Sequence, residues 1–181
     1  MDLFLENSNG DYKFGCLMWN TPKFYADLIM SWGKVNIPDK VLYIDPKDPA
    51  LGRENEIHLT LKYGFHTSDP AAVQAVIKDF GHFLVEFGEI SKFEKKDKYD
   101  VIKITVDGKK LRRLNALVSS ELKCTDSYPE YNPHITLAYV LPGSCDHLLG
   151  KYIFRDVSIK ATELVFSTAN ENNDKVTINL K

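Results

Sequence analysis

The sequence predicts an α+β fold built from two similar halves. Three observations carry this. Short apolar strands are interleaved with amphipathic helices in the order strand, helix, strands, helix, then strands, helix, strands. No Pro-, Gly- or Ser-rich stretch is long enough to separate the halves. Each half also holds the same brief pattern, "EIHLTLKYGF" at 56–65 and "NPHITLAYV" at 132–140. A chain of 181 residues fits one domain. The expectation is therefore a single domain of two lobes, approximately 13–88 and 89–181.

Taken in order, "KFGCLMW" (13–19) reads as an apolar strand. Thr21 then caps a helix with Pro22 in its first position, and Phe24, Leu28, Ile29 and Trp32 follow at helical spacing. "KVLYI" (40–44) reads as a second strand, and 45–55 as a loop rich in Pro, Gly and charge. After the first His-x-Thr strand, Ser68 and Asp69 precede Pro70. A long helix follows, with Val73, Val76, Ile77, Phe80, Phe83, Leu84 and Phe87 as its apolar stripe. "EISKF" and "YDVIKITV" read as strands around a polar turn at 95–98. Leu111, Leu114, Leu117, Val118 and Leu122 mark a further helix. The second His-x-Thr strand comes next, and "ATELVFST" with "KVTINL" closes the chain as a hairpin.

Composition narrows the function classes. Hydrophobic residues are 44% and charged residues 27%, as in soluble globular proteins. No apolar run is long enough to span a bilayer, so no membrane partner is expected. The N-terminus opens with an acid and lacks the basic n-region of a signal peptide. Cys16, Cys124 and Cys145 form no C-x-x-C pair, which points to free thiols in a reducing, cytoplasmic setting. The net charge of −2 hides a basic stretch, Lys92 to Arg113, with nine Lys or Arg against four acids. It would suit a phosphate-bearing ligand, although a solvated hairpin and helix face is the plainer reading.

With 5 His and 9 Thr, random placement would give roughly a quarter of one His-x-Thr pair, yet two are present. Both lie in alternating strands. Ile57, Leu59 and Leu61 in one, with Ile135 and Leu137 in the other, must face a core. His58, Thr60 and Lys62 then share one free face, and His134, Thr136 and Ala138 another. If the halves are related by a pseudo-two-fold axis, these faces meet in one groove. Two imidazoles can then divide the labour of base and acid, while two hydroxyls donate to phosphate oxygens as charge develops. That set suits metal-free phosphodiester chemistry on RNA-like substrates, whose 2′-hydroxyl is a built-in nucleophile. The competing readings are two core histidines bonded to carbonyls, or metal ligands. The latter need a third donor, for which His66, His82 and His147 qualify by type only. No Ser or Cys nucleophile motif is present.

At "HLTLKYGF" and "HITLAYV" the sequence resembles the 2H phosphoesterase superfamily. This resemblance implies a two-lobed pseudo-symmetric fold, with antiparallel sheets lining a central groove and helices outside. It also implies a phosphodiesterase that needs no metal or other cofactor. "GCLMW", "GREN", "LTLKYGFH" and "TELVF" are similar to the phage anti-CBASS nuclease branch, whose members destroy cyclic-nucleotide immune signals in the host cytoplasm. That likeness implies His58 and His134 as the acid–base pair and Thr60 and Thr136 as phosphate-binding groups. Tyr12 would contact a base, Glu163 would read a base edge or ribose hydroxyl, and the 45–55 loop would serve as a lid. Lys62 would meet phosphate. The plainer alternatives are a surface-packed Tyr12, a solvent-facing Glu163 and a solvated Lys62. The substrate implied is a cyclic oligonucleotide. RNA ends, 2′-5′ oligonucleotides and 2′,3′-cyclic phosphates need the same four residues, and a non-cleaving nucleotide sponge is the non-enzymatic alternative. Nothing in the sequence sets an oligomeric state.

Overall fold

Period-two burial builds one eight-stranded antiparallel sheet. The computed structural model describes residues 14–48, 50–95, 98–126, 130–169 and 174–181. Its strands are β1 (Gly15–Asn20), β2 (His58–Phe65), β3 (Phe83–Lys95), β4 (Tyr99–Asp107), β5 (His134–Val140), β6 (Ser158–Ala161), β7 (Glu163–Ser167) and β8 (Lys175–Asn179). The helices are α1 (Lys23–Asn36), α2 (Pro70–Ile77) and α3 (Lys109–Glu121). Across the sheet the order is β6-β3-β4-β5-β2-β1-β7-β8. The two motif strands are therefore central neighbours, each with three strands outside it. The C-terminal β7 and β8 cross over to complete the side that holds β1 and β2.

The two sides join narrowly. β2 and β5 pair through Leu59 and Ile135, both fully buried. Beyond that point the strands diverge, and each free edge is filled by a loop. Along β5, Tyr139 N–H donates to the Gly52 carbonyl at 2.7 Å and Glu54 N–H to the Leu137 carbonyl at 2.9 Å. Along β2, Thr125 N–H donates to the Gly64 carbonyl at 2.8 Å. Gly64 is required there. Its φ is +96°, and a Cβ would lie 2.1 Å from the Thr125 carbonyl oxygen. The 45–55 loop is thus tied to β5 at residues 52–54. Its Arg53 donates to the Gly33 and Ile37 carbonyls at 2.8 and 2.6 Å, satisfying acceptors at the end of α1.

Several expected elements differ. The stripe drawn from Val73 to Phe87 is not one helix: α2 stops at Ile77, and β3 begins at Phe83. Phe83, Val85 and Phe87 are buried while Leu84 and Glu86 are exposed, the alternation of a strand. Residues 40–44 form no strand. Asp39–Val41 is a single 3₁₀ turn after Pro38, and Leu42 makes one isolated bridge to Val140. α1 starts at Lys23 with Pro22 at its N-cap, so Thr21 is not the cap. Thr21 is buried, and its N–H donates to the Ile57 carbonyl. "ATELVFST" is split at Thr162 between β6 and β7, which lie on opposite sides of the sheet.

The basic stretch is dispersed rather than gathered on one face. Lys92 pairs with Glu94, Asp100 and Asp146. Lys110 donates to the His82 carbonyl, Arg112 pairs with Asp107, and Lys103 is buried. Cys16, Cys124 and Cys145 are free thiols. Among the described residues, no helix is long and apolar enough to cross a membrane.

Candidate active site

Antiparallel register assembles the groove. With Leu59 opposite Ile135, continuing by one residue either way sets His58 opposite Thr136 and Thr60 opposite His134. Leu59 and Ile135 point into the core, so all four polar side chains lie on the other face. The register brings the two motifs together crosswise, each histidine facing the other strand's threonine.

Each imidazole is held in the same way. His58 Nδ1 lies 2.7 Å from the Glu56 carbonyl, and His134 Nδ1 lies 2.7 Å from the Asn132 carbonyl. A carbonyl only accepts, so Nδ1 carries the proton in both rings and Nε2 is the nitrogen left for chemistry. In both cases the orienting carbonyl is two residues upstream, supplied by the backbone entering the strand.

The repeat extends further than His-x-Thr. Both strands read H-x-T-L-x-Y, ending at Tyr63 and Tyr139. Each carries a register shift after its threonine: β1 pairs Met18 with Thr60 and then Leu17 with Lys62, while β4 pairs Lys103 with Thr136 and then Ile102 with Ala138. The extra residue reverses the alternation, so Tyr63 and Tyr139 return to the groove face. The same shift overturns the expected placing of Lys62. That residue lies opposite the core residue Leu17 rather than in line with His58. It is 3% exposed and paired with Asp126.

The two sides of the groove floor differ. Beside Thr60 stand Met18, Cys16 and Val165, a small apolar cluster against which Tyr63 packs. Burial pushes the Cys16 thiol up to about 12, against a smaller opposing effect of its hydrogen bond with Thr60, so it is no nucleophile. Beside Thr136 stands Lys103. Phe93 packs edge-on against the His134 ring, centroids 4.9 Å apart. Burial lowers His134 to about 4. The Asn132 carbonyl opposes this, and Lys103 and His58 add to it.

Glu163 is exposed at the start of β7. The pairs Val165–Met18 and Met18–Thr60 put it on the groove face, two strands from His58. Tyr12 lies outside the described residues. His66 hydrogen-bonds Thr125, and His82 precedes β3 rather than riding on a helix. Among the described residues no three His, Cys, Asp or Glu side chains form a metal-ligand set. Sequence reasoning missed Lys103, Phe93 and Tyr131, whose hydroxyl donates to the Thr60 carbonyl at 2.9 Å and steadies β2 at the motif. The shared Tyr of H-x-T-L-x-Y was the available signal for a longer repeat. A lone lysine in an apolar strand was the signal for Lys103.

The fold is shared widely. E. coli LigT in its apo form superposes with a TM-score of 0.62 at 15% identity, covering 94% of this chain and 96% of LigT. TT0787 of Thermus thermophilus gives 0.63 at 13%, covering 93% and 95%. Kluyveromyces marxianus Usb1, solved with uridine monophosphate, gives 0.58 at 12%, covering 93% and 98%. No curated protein sequence matches. Fold and paired motifs define the class as a 2H phosphoesterase, a hydrolase of the phosphodiesterase type. The profile described as "2'-5' RNA ligase superfamily" matches residues 44–170, and the chain belongs to that family.

Proposed function

We propose that the protein cleaves phosphodiester bonds of RNA-type substrates at the groove, without a metal, acting on RNA ends and 2′,3′-cyclic phosphates. The observation that carries this is the crosswise meeting of the two motifs at the Leu59–Ile135 junction, with each Nδ1 fixed by a carbonyl. His58, Thr60, His134 and Thr136 are the residues assigned. In transesterification, one Nε2 takes the 2′-hydroxyl proton, and O2′ bonds to phosphorus. The P–O5′ bond breaks, and the other imidazolium gives its proton to O5′. For a cyclic phosphate, water takes the place of the hydroxyl and the P–O2′ bond opens, leaving a 3′-phosphate. Each imidazole role is typically worth ~10²–10⁴ in rate. The relatives solved with 3′-AMP (E. coli LigT) and uridine monophosphate (Usb1) support a nucleotide-sized occupant.

A second reading, a nuclease for 3′–5′ cyclic di- or trinucleotide signals in phage immune evasion, is favoured by Glu163 on the groove face and by the motif likeness. Both readings take one motif from each side of the sheet, in a cytoplasmic setting; those sides are not the sequence halves 13–88 and 89–181, because β3 runs across that boundary and β7 and β8 return to the β1–β2 side. Mass spectrometry of products from a panel of 2′,3′-cyclic nucleotides, linear 2′-5′ and 3′-5′ oligomers and cyclic dinucleotides, in EDTA, separates them. Turnover of cyclic phosphates or linear ends supports the first, and turnover restricted to cyclic dinucleotides the second. Loss of activity in EDTA contradicts both.

A further inference from the structure

Lys103 has no evident structural reason to be a lysine. It sits in the middle of β4, is 7% exposed, and has no carboxylate partner among the described residues. Its ammonium donates one hydrogen bond, to Ser91 Oγ at 2.8 Å, and lies 4.2 Å from the centroid of Phe93. Those two contacts leave donor capacity over. Burying a cation without a counterion is costly, and burial accordingly lowers its pKa. The matching position on the other side of the groove shows what the fold alone needs. Met18 stands beside Thr60 as Lys103 stands beside Thr136, and Met18 is an ordinary buried side chain.

An uncompensated ammonium next to Thr136, on the groove face, fits an anion that arrives with the ligand. Resting on the phosphodiester reading above, we infer that Lys103 receives the substrate's phosphoryl oxygens together with Thr136 and holds His134 as the proton acceptor. The charged and titratable groups around His134 are few. β4 supplies Lys103 and β2 supplies His58. β3 contributes the uncharged Phe93. β1 contributes the neutral Cys16 further across the floor. Glu56 lies on the His58 side and is paired with Lys175. Lys103 is thus the cation on the His134 side. It disfavours a second cation there and keeps the Nε2 lone pair available. An incoming phosphate offsets that charge, so the imidazole becomes more basic when substrate is bound. His58 is left as the proton donor to the leaving oxygen.

Lys103→Met, Lys103→Gln and Lys103→Arg test the inference with 3′-AMP as probe. Titration calorimetry should show 3′-AMP binding weakened about 10- to 100-fold in K103M, the loss expected for a charge-assisted hydrogen bond, and retained within a few-fold in K103R. By NMR, ligand-free His134 should titrate higher in K103M than in the parent, and saturating 3′-AMP should raise it in both. K103M should melt at the same or a higher temperature, because it removes an unpaired buried charge. If K103M does not melt cooperatively, K103Q carries the same comparison. A folded K103M or K103Q with parental 3′-AMP affinity and a parental His134 titration overturns the assignment of Lys103 while leaving the phosphodiesterase reading standing. A parent protein that binds no 3′-AMP and turns over nothing in the panel overturns both.

Discussion

The two sides of the groove carry the same strand motif on different floors. Both present H-x-T-L-x-Y, both orient the imidazole with a carbonyl two residues upstream, and both shift register after the threonine. Under Thr60 the neighbours are Met18, Cys16 and Val165, whereas next to Thr136 they are Lys103, Ser91 and Phe93. A symmetric frame positions two chemically equal pairs, and the unequal floor makes them different. Base and acid need opposite starting protonation, and burial of His134, with the Lys103 cation adding to it, biases one side.

Removing a histidine from either side should have the largest effect. His58→Ala and His134→Ala should each lower kcat by ~10³, with the double variant little worse than either single, because the two act in one step. A retained rate in one single variant would mean that the halves do not form one site. The junction comes next. Leu59→Ala leaves a void where the halves meet and should cost about 3 kcal/mol in urea unfolding.

Acidity probes the His134 side. Folded, His134 binds its proton at about 4 against 6.5 for an ordinary histidine. As pH falls, the unfolded chain therefore takes up the proton first. Stability is lost from pH 6.5 downward, and the loss levels off below 4, about 3 kcal/mol in all. Unfolding of the parent and of His134→Gln between pH 7 and 4 should diverge by that trend. The threonines measure the unequal floor in activity. Thr60→Val should cost ~10² in kcat, as for a lost oxyanion donor, and Thr136→Val only about a tenth of that, since Lys103 remains beside it to donate. Equal losses would remove the functional meaning of the difference. Phe93→Leu should be mildest, about 1 kcal/mol from the lost ring contacts with Lys103 and His134.

The motif strands were legible in the sequence because period two forces an interpretation. Leu59 and Ile135 must face a core, which turns His58, Thr60, His134 and Thr136 away from it. Within β3 the stretch 89–93 was read as a strand, but its start was not, because Phe83, Leu84 and Phe87 suit a helical stripe as well as a strand, and only pairing with β4 and β6 decides between them. Lys62 was misplaced because a register shift leaves no mark on a single strand's own alternation. Lys103 was hidden for a related reason. In "YDVIKITV" it reads as a solvent-facing lysine, and what buries it are β3 and β5 on either side, partners distant in sequence.

The central claim is that the two H-x-T strands form one metal-free site using the substrate's 2′-hydroxyl. The most direct test incubates a 3′-5′ linked diribonucleotide and its 2′-deoxy counterpart with the parent protein in EDTA, and follows both by mass spectrometry. The ribose substrate should give a 2′,3′-cyclic phosphate, or the 3′-phosphate from its opening, and the deoxy one should stay intact. Cleavage of both at similar rates would contradict the claim.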